Sequence, residues 1–211
     1  MSSFYVVIEE NHPLKELIIK NKIPRGPSPT SCPKDHILVD LRILSFEDRL
    51  DDLEGFPGPI IADATTGFLK NTLSTNKNIK ALFPSAFFSP TSTYEVWVNP
   101  NNANENQKIS QEFLSKLDFK TYFVNDQLNY SFILPRIGAM LINEYFFSKE
   151  EKLATTSDID QALKFGVNYP LGPDEWKNKS SLEALAYLLQ FLGKHKKTTR
   201  YQMADEISEQ I

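Results

Sequence analysis

Up to Val124 the apolar residues come in short β-branched and aromatic runs, and from Pro135 onward they recur at helical spacing. This change of period constrains the fold more than any other feature. The first part bears the strands and the second is helical, with the boundary between Val124 and Tyr130. Phe4–Ile8 reads as a strand, followed by Leu14, Leu17, Ile18 and Ile23 at roughly helical spacing. Pro24–Pro33 holds four prolines in ten residues, which withdraws backbone donors and predicts an irregular surface loop. Ile37–Ile43 reads as a buried strand, and Ser45, with Asp48 three positions on, predicts the cap of a short acidic helix. The apolar runs Pro59–Ala64, Ile79–Phe83 and Glu95–Val98 predict further strands. Asn104–Leu117 predicts an amphipathic helix and Lys120–Val124 one more strand. Strands alternating with helices at this spacing predict a layered α/β sheet.

In the second part, Ile137, Met140, Leu141, Tyr145 and Phe147 predict a long helix with Pro135 in its first turn, where proline costs little. Thr156-Ser157-Asp158 predicts another helix start, with Gly166 as its C-cap. After the loop NYPLGP, Ser180 or Ser181 caps a helix over Leu182–Leu192, closed by Gly193 and the basic tract KHKKTTR. The expected domains are therefore 1–128 and 129–211.

Charge and composition exclude several function classes. Lys plus Arg number 23 against 27 Asp plus Glu, a net charge of −4, so no surface is expected that would neutralise a nucleic-acid backbone. No apolar run approaches the roughly 20 residues of a membrane span, so no membrane partner is expected either. The single cysteine, Cys32, precludes an intramolecular disulfide, and the start MSSFYVVIEE lacks the pattern of a secretory signal; a cytoplasmic location is expected. His12, His36 and His195 are scattered and have no cysteine cluster beside them, so no metal site is expected.

The segment RIGAMLINEYFFSKEEKLATTSDIDQALKFGVNYPLGPDEW carries a specific pattern: Arg136, Asn143 and Glu144, then Asp158, Ile159, Asp160, Ala162, Lys164, Gly166, Tyr169, Pro170, Gly172 and Pro173. It resembles the helical C-terminal domain of 3-hydroxyacyl-CoA dehydrogenases. With lower fidelity, ILVDLRI, PIIADATTG and ALFPSAFFSP resemble successive strands and turns of that family's nucleotide-binding domain, so the resemblance covers roughly residues 37–201. It implies a shortened Rossmann-like sheet domain followed by an all-α helical domain, the cofactor NAD, and a homodimer joined through the helical domains. It also implies an acyl-CoA-like small molecule as ligand, whose phosphates the Lys194–Arg200 run could meet, although cations at a helix end also favour the dipole.

The family's chemistry needs a histidine base held by a glutamate, with a serine and an asparagine contacting substrate. Carried over by position, the serine falls on Thr66, the base on Ala86, the orienting acid on Val98 and the asparagine on Pro135. A methyl group cannot accept a proton, and no histidine lies between His36 and His195. The G-x-G-x-x-G turn that lets backbone approach a pyrophosphate is also absent: no two of the glycines at 26, 55, 58, 67, 138, 166, 172 and 193 stand two apart. About 36 residues precede Ile37, where the family has a full βαβαβ half. Phe4–Ile8 could be the first or second strand of that half; if the second, Glu9 stands where a ribose-binding acid belongs. No catalytic, cofactor-binding or metal residue is therefore expected, and the expected function is that of a non-catalytic homologue acting in binding, scaffolding or regulation. The alternative is an active oxidoreductase with displaced catalytic residues or a cofactor half from another chain. Each residue singled out also has a structural role to play: Thr66 as a turn hydroxyl, Phe87, Phe88 and Trp97 as core, and Tyr169–Pro173 as a tight connection. The stripe Leu182, Leu185, Leu188, Leu189 and Leu192 serves as core or as a dimer surface, and the resemblance favours the dimer.

Overall fold

Strands β1 (Phe4–Val7), β3 (Ile37–Asp40) and β4 (Ile60–Asp63) are buried at every residue, which is why they read as unbroken apolar runs rather than as alternating patterns. The computed structural model describes residues 2–69, 77–124, 130–209 and 211, and the expected 128/129 boundary lies outside them. With β2 (Arg25–Gly26), β5 (Ile79–Phe83), β6 (Thr93–Val98) and β7 (Lys120–Phe123), the strands form one seven-stranded sheet in the order β2-β1-β3-β4-β5-β6-β7. Pairing is parallel from β2 through β5, antiparallel between β5 and β6, and parallel again between β6 and β7. The first crossover runs outward from β1 to β2 and the next returns to β3 on the other side of β1, so the topological switch point lies between β1 and β3.

Alternate side chains of each strand feed separate cores. Phe4, Val6, Val39 and Phe83 meet Ile18 of α1 (Lys15–Lys20) and Phe113 and Leu114 of α3 (Ala103–Ser115). Val7, Leu38, Ile60 and Leu82 meet Phe46, Leu50 and Leu53 of α2 (Phe46–Glu54), whose N-cap Ser45 accepts from the Asp48 amide as expected. The proline-rich stretch is less irregular than expected. Its two-residue strand β2 pairs with Val6 and Val7, and Pro29–Ser31 forms a 3₁₀ turn.

Beyond Tyr130 the regular elements among the described residues are all helical: α4 (Ile133–Glu150), α5 (Thr156–Gln161), a π-turn at Ala162–Gly166, α6 (Pro173–Lys179), α7 (Leu182–Lys196), a 3₁₀ turn at Thr199–Tyr201 and α8 (Asp205–Ser208). Two helix ends differ from expectation. The left-handed residue after the π-turn is Asn168 (φ 57°) rather than Gly166, and α7 passes through Gly193 to end at the left-handed Lys197 (φ 49°). The leucine stripe is also corrected. Leu185, Leu188, Leu189 and Leu192 are fully buried inside the chain with Ala139, Ile142 and Ile207, so they are core and not a dimer surface.

The helices are bonded onto the turn that follows β5. Ser181 N–H donates to the Ala86 carbonyl at 2.8 Å, the Trp176 indole donates to the Phe88 carbonyl at 2.8 Å, and Phe88 N–H donates to Ser180 Oγ at 3.0 Å. At Gly138 a Cβ would lie 2.0 Å from the Phe87 ring, so glycine is what lets α4 approach this turn.

Candidate functional site

The carboxyl ends of β1, β3, β4 and β5 meet at the switch point, where open α/β sheets place their ligands. Here the space is filled by the chain's own polar groups. Asp63, at the end of β4, is fully buried; its carboxylate accepts from Thr65 N–H (2.9 Å), Thr65 Oγ1 (2.7 Å), Ser85 Oγ (2.7 Å) and Ala86 N–H (3.2 Å). Asp40, at the end of β3, pairs with Arg42 (2.8 Å) and with fully buried Arg49 (3.0 Å), which also donates to the Asp63 carbonyl (2.6 Å). A buried carboxylate and guanidinium persist only when paired in this way.

His12 completes the network from the turn after β1. Its Nδ1 accepts from Leu14 N–H at 3.0 Å, so Nε2 carries the proton and donates to Ser85 Oγ at 3.1 Å, and Ser85 in turn donates to Asp63. Burial pushes the imidazole down to about 4, outweighing the opposing charge of Asp63, and the Arg49 guanidinium adds its own repulsion. His12 is therefore neutral near pH 7. It does not contact the carboxylate directly, and with Ser85 and Asp63 fully buried, the arrangement is a closed polar core rather than a base aimed at a nucleophile.

The four positions assigned by resemblance are dispersed among structural roles. Thr66 donates to the Leu44 carbonyl at 3.2 Å. Ala86 is fully buried against Ile43 and Ala184, with its amide on Asp63 and on Thr65 Oγ1. Val98 is half-buried in β6 opposite Ala81, and Pro135 is buried in the first turn of α4. The acid that this region does contribute is Glu95, whose carboxylate accepts from Leu134 N–H at 2.9 Å at the start of α4. Burial raises its carboxyl, and the Leu134 and Ile133 amides offset part of that. Sequence reasoning missed Asp63, Ser85 and His12 because nothing in their spacing signals that they converge.

The order of the sheet settles the place of Phe4–Val7. Lying between β2 and β3, β1 holds the first-strand position of the doubly wound order, and Glu9 is not at the end of a second strand. The turn Glu9–Leu14 therefore stands where a dinucleotide's pyrophosphate would approach. It contains no glycine, the Leu14 amide is taken by His12, and Glu9 lies near enough to Glu183 of α7 to add to the burial that raises the Glu183 carboxyl. The turn thus lacks the glycines that let backbone approach a pyrophosphate, and Glu9 and the Glu10–Lys15 ion pair are the charges it carries. Among the described residues no group of three or more His, Cys, Asp or Glu is arranged to hold a metal ion, and no helix is long and apolar enough to cross a membrane.

Residues 132–210 match the C-terminal domain of 3-hydroxyacyl-CoA dehydrogenase. The chain is 37% identical over 67 residues to 3-hydroxyadipyl-CoA dehydrogenase of Escherichia coli K12, a match spanning 32% of this chain and 14% of that protein. It is 30% identical over 95 residues to 3-hydroxybutyryl-CoA dehydrogenase of Bradyrhizobium diazoefficiens, spanning 45% and 32%. The matched segments thus take up less than two thirds of both curated relatives. In fold the chain is similar to (S)-3-hydroxybutyryl-CoA dehydrogenase PaaH1 of Ralstonia eutropha, with a TM-score of 0.62 and 18% identity over 93% of this chain and 76% of that one. It is also similar to FadB2 of M. tuberculosis, with a TM-score of 0.64 and 13% identity over 88% and 68%.

Proposed function

We propose that the chain, whose residues 132–210 match the C-terminal domain of 3-hydroxyacyl-CoA dehydrogenase, is a non-catalytic member of that family that acts by binding rather than by hydride transfer. One observation carries this reading. The position aligned with the family's base is the methyl group of Ala86, sealed in place by hydrogen bonds from its amide to Asp63 and Thr65 and from Ser181 to its carbonyl. General-base catalysis is worth roughly 10²–10⁴-fold in rate and needs a proton acceptor within hydrogen-bond reach of the substrate. In the turn that would receive the cofactor phosphates the Leu14 amide is bound by His12, and Glu9 adds negative charge. The same reading makes the helical part the partner-binding part, with a second copy of the chain as the partner and an acyl-CoA-like molecule as the ligand class implied by kinship. Phe165 and Leu153 support it, being 81% and 73% exposed where a lone domain would bury large apolar side chains.

The test is direct. Purified protein mixed with NADH and acetoacetyl-CoA should give no change in absorbance beyond the enzyme-free rate, and NADH added in a calorimeter should give no saturable heat. Micromolar NADH binding or steady turnover would overturn the proposal.

A further inference from the structure

The opposite edge of the sheet, at the amino ends of the strands, holds a cavity of about 370 Å³ that is unrelated to the filled crevice. Three separate segments converge on it: Lys22 from the turn between α1 and β2, Lys116 from the end of α3, and His36 from the residue before β3. Ser2, Ser3 and Asn21 add hydroxyl and amide groups, and the remaining wall is apolar. No carboxylate lines it, although the chain as a whole carries a net charge of −4. The acids nearby are committed elsewhere. Asp35 accepts from His36 Nδ1 at 2.9 Å, and Glu112 accepts from Ser2 N–H at 2.7 Å and from Ser2 Oγ at 2.9 Å. Among the described residues neither Lys22 nor Lys116 has a carboxylate within ion-pair distance, although the charge of Lys116 helps to lower the Glu112 carboxyl one turn back, and the Lys116 ammonium lies 5.9 Å from the centre of the Phe4 ring.

A cation at a helix C-terminus is explained by the helix dipole, and that would account for Lys116 on the thirteen-residue α3. It accounts poorly for Lys22, which lies outside the six-residue α1 in the left-handed conformation (φ 54°), and not at all for His36, which sits on no helix. The geometry points to an anion site here, built for the phosphate of a small phosphorylated metabolite. Two ammonium groups and the Ser3 hydroxyl supply donors, the Asn21 amide being bound to the Leu17 carbonyl and Ser2 to Glu112, and a phosphate monoester supplies a charge near −2 and three strong acceptor oxygens. The volume lies at the lower end of ligand-binding clefts, suited to a compact monoester and too small for a dinucleotide.

The full chain is titrated with glycerol 3-phosphate and, separately, with inorganic phosphate, using backbone amide NMR shifts as the readout and glycerol as the uncharged control. Saturable shifts are expected at Lys22, Ile23 and His36, weaker at high salt, with glycerol silent. Lys22→Asn, which suits the left-handed backbone, and Lys116→Gln should each weaken binding about tenfold, the loss expected for one charge-assisted hydrogen bond. Retained dispersion of the spectrum reports that both variants are folded. No saturation below about 10 mM, weaker than any affinity a dedicated small-molecule site would show, overturns the proposal. So do glycerol shifts equal to those of its phosphate, unchanged affinity in both variants, or shifts centred on Glu9–Leu14 instead.

Discussion

Asp63 is the residue around which the filled crevice is organised, since its carboxylate gathers donors from β4's own turn and from the turn after β5. This closure governs what restoring the family's side chains would do. Ala86→His would drive an imidazole into a fully buried site against Ile43 and Ala184, and overpacking of that kind costs about 1–3 kcal/mol. Ala86→His combined with Val98→Glu is therefore expected to melt below the parent and to remain inactive with NADH and acetoacetyl-CoA; turnover that depends on both substitutions would sink the idea. His12 gives a second prediction, in pH. Its folded pKa, about 4, lies below the ordinary 6.5, so between these values the unfolded chain binds more protons and stability falls as pH falls. The loss starts below pH 6.5, is complete near pH 4, and amounts to something on the order of 3 kcal/mol. Glu95 and Glu183, whose carboxyls are raised mainly by burial, slope the opposite way, so the readout is a difference. His12→Asn keeps an acceptor for the Leu14 amide and removes the titration. Its urea midpoint should fall less than the parent's between pH 7 and pH 4.5, two points chosen to span most of this window. Parallel curves would show that His12 does not titrate there.

Helices α4, α6 and α7 show what the signature residues of the C-terminal domain do in this chain. Arg136 hydrogen-bonds the Tyr201 hydroxyl and stacks over its ring, while Asn143 donates to the Gln202 carbonyl at 2.8 Å and accepts from Ala204 N–H at 3.0 Å. Asp160 accepts from Asp174 N–H at 2.9 Å at the start of α6, in a space that a Cβ on Gly172 would invade at 2.2 Å. These motif residues hold helices together and touch no crevice group. Asn143→Ala, which strands the buried Ala204 amide, should cost about 2 kcal/mol of unfolding free energy, whereas exposed Glu144→Ala should stay within about 0.5 kcal/mol. Equal effects at the two positions would mean that the motif is not a framework. The same distinction decides what was legible in the sequence. Strands buried on both faces and caps such as Ser45 and Ser181 were readable because their signals are local. Gly193 misled because a glycine inside a helix costs only about 1 kcal/mol, less than the packing of Leu185–Leu192 returns. The crevice was opaque for another reason: His12, Asp63 and Ser85 lie far apart in sequence, and a lone histidine before a proline reads as a turn until the sheet order brings β1 beside β3.

For the whole molecule, the open question of physics is what covers the apolar surface left after the leucine stripe has been spent inside the chain. Ile133 and Ile137 lie one turn apart on α4 at 53% and 45% exposure, and Leu153 before α5, Phe165 in the π-turn and Val167 just after it are 73%, 81% and 63% exposed. Five large side chains in water within one helical part are more than scattered surface hydrophobics, and in a self-associating chain such surfaces are matched to themselves by a two-fold axis. A homodimer joined through the helical part is therefore expected, with light scattering giving twice the 24.1 kDa chain mass at tens of micromolar. Leu153→Glu together with Phe165→Glu should yield monomers at unchanged melting temperature or a slightly lower one, since residues this exposed add little to the fold of one chain. Leu189→Asp provides the contrast: fully buried among the helices, it should unfold that part outright, because a carboxylate would stand there without a partner. A parent that scatters as a monomer at these concentrations would sink the expectation, and a double glutamate variant that stays dimeric would move the interface to another face, for which the α4 pair Ile133 and Ile137 is the next place to substitute.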